Sequence, residues 1–241
     1  MPMGKGEGAV KGKVVAVTGG YGALGRVVAA TAVDRDASVA ALDFAAAPPD
    51  GLAERLGPNA LLLGGVDLSS GERARAAIAN VVAKFGRLDA LINIAGGFVW
   101  EKGEGGDAAS WDRLFAINLK TALHASQAAI PHLLASGAGR IVNVGAISAV
   151  KAAAGMGPYA ASKGAVHRLT ESLAEELKNR GVTVNAVLPS IIDTPANRAD
   201  MPGAAFDRWV APADLAAVIL FLASDEAKAV TGALIPVAGG V

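Results

Sequence analysis

KVVAVTGGYGALG, Lys13 to Gly25, joins a short apolar run to a glycine-rich turn and then to a segment of helical periodicity. Val14, Val15 and Val17 are β-branched and uninterrupted by charge, the pattern of a strand buried on both faces. ALGRVVAATAVDRD, which follows, places its apolar residues at helical spacing, and SVAALDF then reads as a second strand. The alternation continues with ALLLGGVDL, the helix GERARAAIANVVAKFG, LDALINIAGG, a helix around SWDRLFAINLKTALHASQAAIPHLLAS, and the strand GRIVNVGAI. A helix from Tyr159 to about Arg180, the strand VTVNAVLPS, the helix PADLAAVILFLASDE and a closing strand ALIPVAGG complete the chain. Strands alternating with long helices imply βαβ units, hence a parallel sheet covered on both faces. The near-continuous apolar strands agree with that burial. The expectation is a single doubly wound α/β domain over 13–241, after a flexible start at 1–12.

The bulk composition narrows the function classes. Of 241 residues, 52% are hydrophobic and 18% charged, and the formal net charge is zero, which gives no electrostatic reason to expect nucleic acid or an anionic membrane. There is no cysteine, so disulfide and thiolate chemistry are excluded. His124, His132 and His167 lack metal-ligand spacing, and no metal site is expected. MPMGKGEGAVKGK lacks the apolar segment of a signal peptide. LAAVILFLA, Leu215–Ala223, is about half a membrane span. A cytoplasmic protein acting on a small molecule is the resulting expectation.

The turn TGGYGALG carries the first functional assignment. Glycines allow the backbone to turn tightly and a pyrophosphate to approach, and the helix N-terminus behind them offers free N–H groups. Gly19, Tyr21, Gly22, Ala23, Leu24 and Gly25 are the expected dinucleotide contacts. Asp43, ending the second strand, can accept hydrogen bonds from both adenosine ribose hydroxyls and repels a 2′-phosphate. NAD(H) is therefore the preferred cofactor, with NADP(H) second, because Arg26 offsets part of that repulsion. Asp67, with Leu68 beside it, is placed to meet the adenine.

NVGAISAVKAAAGMGPYAASKGA, Asn143–Ala165, carries the chemistry. Tyr159 and Lys163 are four apart on a helix and share one face. A phenol beside an ammonium suits proton transfer. Thirteen residues upstream stands Ala146, with Ser148 two further on. If the strand continues, period-two alternation puts Ala146 and Ser148 on the same face, nearly 7 Å apart.

From about Lys13 to Gly240 the chain resembles the short-chain dehydrogenase/reductase family. The matching features are TGGYGALG, Asp67, NIAGG (Asn93–Gly97), Asn118 in AINL, Tyr159-x-x-x-Lys163, and PSIIDT (Pro189–Thr194). The resemblance implies a Rossmann-like fold with about seven parallel strands and a homodimer or homotetramer. It makes Tyr159 the acid/base and Lys163 the ribose-holding residue that lowers the tyrosine pKa. Asn118 supports a proton-relay water, and Ile192 and Thr194 meet the nicotinamide. Asn93, Ala95, Gly96 and Pro189 are assigned to cofactor binding by the same match. Ala23 departs from the family's second glycine, Ile94 from the commoner NNAG, Ser190 from a glycine, and Ala146 from the catalytic serine.

Dihydropteridine reductases lack that serine in the same way. They resemble this chain in GGYGALG, in AGG, in SKGAVHRLTESLA (Ser162–Ala174) and in LPSIIDTPANRADMPGAAFDRW (Leu188–Trp209), whereas VTGALIPVAGG looks like the general family. A quinonoid dihydropterin or similar conjugated C=N/C=O acceptor is the favoured substrate. A carbonyl reductase or alcohol dehydrogenase, such as a 3-oxoacyl reductase helped by Ser148, and a non-catalytic dinucleotide-binding module are the alternatives. Phe98, Trp100, Phe206 and Trp209, in two long loops, are candidates to wall a planar substrate, with Ala146 and Ser148 beneath. Asp193 and Arg198 read as lid contacts, His167 as a hydrogen-bonded helix residue. The apolar residues of LTESLAEEL suggest a helical interface between copies.

Overall fold

The computed structural model describes residues 9–241. The expected flexible start thus falls largely outside the described residues; within them, Val10 is fully buried in the core and Gly12 N–H donates to Asp36 O at 2.9 Å.

β1 (Val14–Thr18) is buried at every position. Its alternate residues feed opposite layers, as the strand period requires. Val15 and Val17 face α1 (Ala23–Asp34) and α8 (Pro212–Leu222); Val14 and Ala16 face α3 (Gly71–Phe85) and α5 (Thr121–Ala135). β2 (Ser38–Leu42), β3 (Leu61–Leu63), β4 (Ala90–Asn93), β5 (Gly139–Val144), β6 (Val182–Pro189) and β7 (Leu234–Val237) complete a seven-stranded sheet in the order β3-β2-β1-β4-β5-β6-β7. Every pairing is parallel. The chain reverses its direction of winding between β1 and β4, so a crevice opens beyond the carboxyl ends of those strands. TGGYGALG, Asp43, NIAGG and PSIIDT all lie at or just beyond strand ends on this edge.

The remaining helices are α2 (Leu52–Leu56), α4 (Ala108–Leu114), α6 (Gly157–Leu177) and α7 (Pro195–Asp200). None among the described residues is long and apolar enough to cross a membrane. Two sequence expectations are corrected. β3 ends at Leu63 instead of running to Asp67, because Gly65 adopts a left-handed φ of 70° and turns the chain. The apolar residues of LTESLAEEL do not form an outer stripe. Leu173 and Leu177 are buried in this chain's own core against the sheet, where each removes about 2 kcal/mol worth of apolar surface from water.

Candidate functional site

A cleft of about 770 Å³ lies over the β1 turn and the ends of β2 and β4. The turn is built for close approach. Gly19 has a φ of 65°, and a Cβ there would come within 2.9 Å of Ala95 N; one on Gly25 would overlap Gly19 O. Ala23 is tolerated where the family has glycine because it is the first residue of α1 and partly exposed. No side chain caps α1, no acidic residue occupies its first turn, and the N–H groups of Ala23 and Leu24 carry no hydrogen bond. These free donors at a helix N-terminus fit a pyrophosphate.

Asp43 sits on the wall of the cleft, oriented from two sides: Oδ2 accepts from Tyr21 N–H and Oδ1 from Ala45 N–H, both at 2.9 Å. Its carboxylate still has lone pairs for the two ribose hydroxyls. Asp67 lines the opposite wall, where the Ser69 hydroxyl at 2.6 Å holds its pKa below the usual carboxylate value, with Leu68 buried beside it. Phe44, 76% exposed, and Val66 complete an apolar pair of walls suited to a flat base. Sequence reasoning missed Phe44, although an aromatic next to the ribose-binding carboxylate was there to be read.

The expected reactive groups do not line this cleft; they adjoin it through Gly96, which packs against Asn118 and Lys163. Tyr159 lies in the first turn of α6, its ring edge-on to Phe98 with centroids 4.9 Å apart. Burial pushes the Tyr159 phenol up to about 12. One turn on, Lys163 is 6% exposed, and its ammonium donates to Val144 O at 2.7 Å; burial lowers its pKa to about 8. The chain alone thus corrects the expected lowering of the tyrosine pKa. Desolvation is the governing effect at both groups, and the ammonium is engaged by a backbone carbonyl. Gly96 lies close above, where a Cβ would stand 3.5 Å from Lys163 Nζ.

Asn118 falls in a π-helical turn, Phe115–Lys120, between α4 and α5, the kind of local irregularity that helices keep at functional sites. Both donors of its side-chain amide are committed, and its oxygen accepts one bond. Oδ1 accepts from Gly97 N–H at 2.8 Å, and Nδ2 donates to Gly97 O and to Ser162 Oγ, whose hydroxyl in turn donates to Tyr159 O.

The short chain dehydrogenase family matches residues 13–204. The chain belongs to that family. It is 33% identical to 2-(S)-hydroxypropyl-CoM dehydrogenase 3 of Xanthobacter autotrophicus, covering 96% of this chain and 97% of the relative. It is 32% identical to a 3-oxoacyl-(acyl-carrier-protein) reductase of Thermotoga maritima, covering 96% and 98%. Among solved structures, carveol dehydrogenase from Mycobacterium avium in complex with NAD superposes with a TM-score of 0.84 at 29% identity, over 97% of this chain and 98% of that one.

As a short chain dehydrogenase, the protein keeps its tyrosine, lysine and asparagine together but places several other expected residues differently. Asn93 is 4% exposed and points into the protein, donating to Ser126 Oγ and Asn143 Oδ1; it is a strut between strands and helix, with no side-chain access to the cleft. Ala95 and Gly96 do line it. Pro189 closes β6, and beyond it Ile192 bridges Val210 while Thr194 caps α7 through Asn197 N–H. The chain between Ile192 and Val210 is thus tied at its base by this bridge and braced by the Arg198–Asp193 ion pair and by Arg198 over the Phe206 ring. Trp209, 7% exposed and edge-on to Phe206, is part of that brace, not a free wall for substrate. Trp100 covers the backbone of Gly155 and leaves about half its surface open.

Ala146 is buried at 3% exposure, directly after β5. The strand does not continue to Ser148. Ile147–Ala149 form a 3₁₀ turn, so the alternation that would put Ser148 below Ala146 is broken, and no hydrogen bond links Ser148 to Tyr159. Among the described residues, no three His, Cys, Asp or Glu side chains group to hold a metal.

Proposed function

We propose that the protein is an NADH-preferring oxidoreductase whose acceptor is a small planar, conjugated C=N or C=O compound of the quinonoid dihydropterin kind. Bound NADH would supply the hydride. Tyr159 donates the proton, Lys163 holds the nicotinamide ribose, and the free N–H groups of α1 receive the pyrophosphate. Asp43 meets the adenosine ribose, and Ile192 and Thr194 flank the nicotinamide.

The observation that carries the substrate class is the absence of a second hydroxyl beside Tyr159. Ala146 stands in the serine position, and Ser148 lies in a 3₁₀ turn and makes no hydrogen bond to Tyr159. Reduction of a plain ketone concentrates charge on one oxygen, and loss of one donor there costs about 10²–10³ in rate. A conjugated ring spreads the charge, so the single phenol suffices. The exposed Phe98 ring beside Tyr159 adds a flat apolar face. A carbonyl reductase or alcohol dehydrogenase is the second reading, favoured by the hydroxypropyl and 3-oxoacyl substrates that name the relatives.

The deciding experiment follows NADH oxidation with quinonoid dihydropterin and, separately, with ketones and 3-oxoacyl thioesters. Turnover of the pterin alone supports the conjugated-acceptor reading; turnover of ketones alone replaces it with the carbonyl reading. Cofactor choice has its own test. Asp43→Asn keeps one acceptor for the turn but loses the charge, and should raise the KM for NADH about tenfold while improving NADPH. Unchanged NADH and NADPH kinetics would remove Asp43 from the ribose site.

A further inference from the structure

The β4–β5 ladder ends at the Asn93–Asn143 pair, whereas on the other side of β5 Gly145 N–H still donates to Val187 O at 2.9 Å. In a parallel sheet, successive residues turn their N–H and C=O groups to opposite neighbours. Val144 C=O and Ala146 N–H therefore both face the side that β4 has left. Both residues are buried, and buried backbone groups need partners.

α6 supplies both partners from successive turns. Lys163 Nζ donates to Val144 O at 2.7 Å, and Ala146 N–H donates to His167 Nε2 at 3.4 Å. The space for the imidazole is made by Gly145, where a Cβ would stand 2.5 Å from Nε2. His167 is 3% exposed, and burial, reinforced by the charges of Arg168 and Lys163, holds its pKa below the usual histidine value. The ring is thus neutral, with the Nε2 lone pair turned to Ala146 and the proton on Nδ1. Tyr159, Lys163 and His167 follow one another at four-residue spacing along a single face of α6.

We infer that His167 is a positioning residue. By gripping the Ala146 N–H it holds the end of β5, and with it the carbonyl on which Lys163 rests, in register with Tyr159. This inference rests on the assignment of Tyr159 and Lys163 as the reacting pair. It deepens that assignment by naming what fixes their spacing to the strand, where the missing serine leaves no side-chain bond to do so.

The test compares His167→Leu, which fills the space but accepts nothing, with His167→Gln, whose Oε1 reaches toward the Nε2 position. NADH-dependent kcat with quinonoid dihydropterin and with a 3-oxoacyl thioester should fall about ten- to a hundredfold in the leucine variant and largely recover in the glutamine variant. Hydrogen exchange at the Ala146 amide should quicken about tenfold in the leucine variant only. A leucine variant with wild-type kcat and wild-type Ala146 exchange, or a glutamine variant no better than leucine, overturns the inference. Tyr159→Phe run in parallel separates the two levels. If it still turns over, the reacting-pair assignment fails, and the exchange data alone judge the clamp. A wild-type measurement stands whether or not the variants fold: ¹⁵N chemical shifts must show His167 protonated on Nδ1 and bare on Nε2. A proton on Nε2 at neutral pH would overturn the clamp outright.

Discussion

Tyr159→Phe is expected to lower NADH-dependent turnover about a thousandfold while leaving NADH affinity and thermal stability close to wild type. The phenol makes no hydrogen bond within the described residues, so its removal orphans no partner. Phenylalanine keeps the ring and the edge-to-face contact with Phe98. What is lost is the acid. Burial pushes the phenol up to about 12, so in the free protein it holds its proton throughout the neutral range. Reduction, which consumes that proton, should then show no loss from tyrosine ionisation between neutral and mildly alkaline pH. The reverse reaction requires the phenolate and should quicken as pH rises. Single-turnover traces in both directions, with NADH affinity from fluorescence titration, check each part. Turnover within tenfold of wild type would mean that another group delivers the proton.

The parts of this molecule that were legible in its sequence are those set by local period and local sterics. KVVAVTGGYGALG could hardly be anything but strand, turn and helix, because its apolar run needs two-sided burial and Gly19 and Gly25 touch backbone where a side chain would collide. The pairing of Tyr159 with Lys163 followed from helical spacing alone. What escaped the reading depends on where one element stops relative to another. Asn93 belongs to a motif assigned to the cofactor, yet as the last paired residue of β4 its side chain faces inward to Ser126 and Asn143. Ser148 shares a face with Ala146 only if β5 continues; the strand ends at Val144, and a 3₁₀ turn breaks the alternation on which that reading depends. The π-helical turn around Asn118 left no trace in periodicity, since one widened turn in a helix of mixed apolar character shifts the stripe too little to detect. Trp209 looked available because it lies in a long loop; Phe206 and the Ile192–Val210 bridge close that loop over it.

Lys163→Met should remove most of the turnover and, in the ligand-free protein at pH 7, increase stability. The ammonium is buried, and its hydrogen-bond partner is the neutral carbonyl of Val144, with no carboxylate paired to it. Its pKa falls from 10.5 to about 8 on this account. A lysine that holds its proton less tightly in the folded chain than in the unfolded one costs stability wherever the unfolded chain is protonated. The cost is full below pH 8, declines as pH rises because the unfolded state then binds more protons, and is gone above 10.5. The gap corresponds to about 3 kcal/mol. Methionine abolishes that cost but leaves the Val144 carbonyl unpaired, at about 1 kcal/mol. The net expectation is a gain of about 2 kcal/mol at pH 7 that shrinks through the window and changes sign above it. Titration of Tyr159 is common to both proteins and cancels in the difference. Urea unfolding of the two proteins at pH 7 and pH 10 measures it directly. A variant less stable than wild type at pH 7 would mean that the Val144 bond outweighs the desolvation of the ammonium, and that the lysine is a structural asset as well as a reactive one. The expected gain would instead identify Lys163 as a charge the fold tolerates for the sake of the reaction, which is the usual sign of a group retained for chemistry.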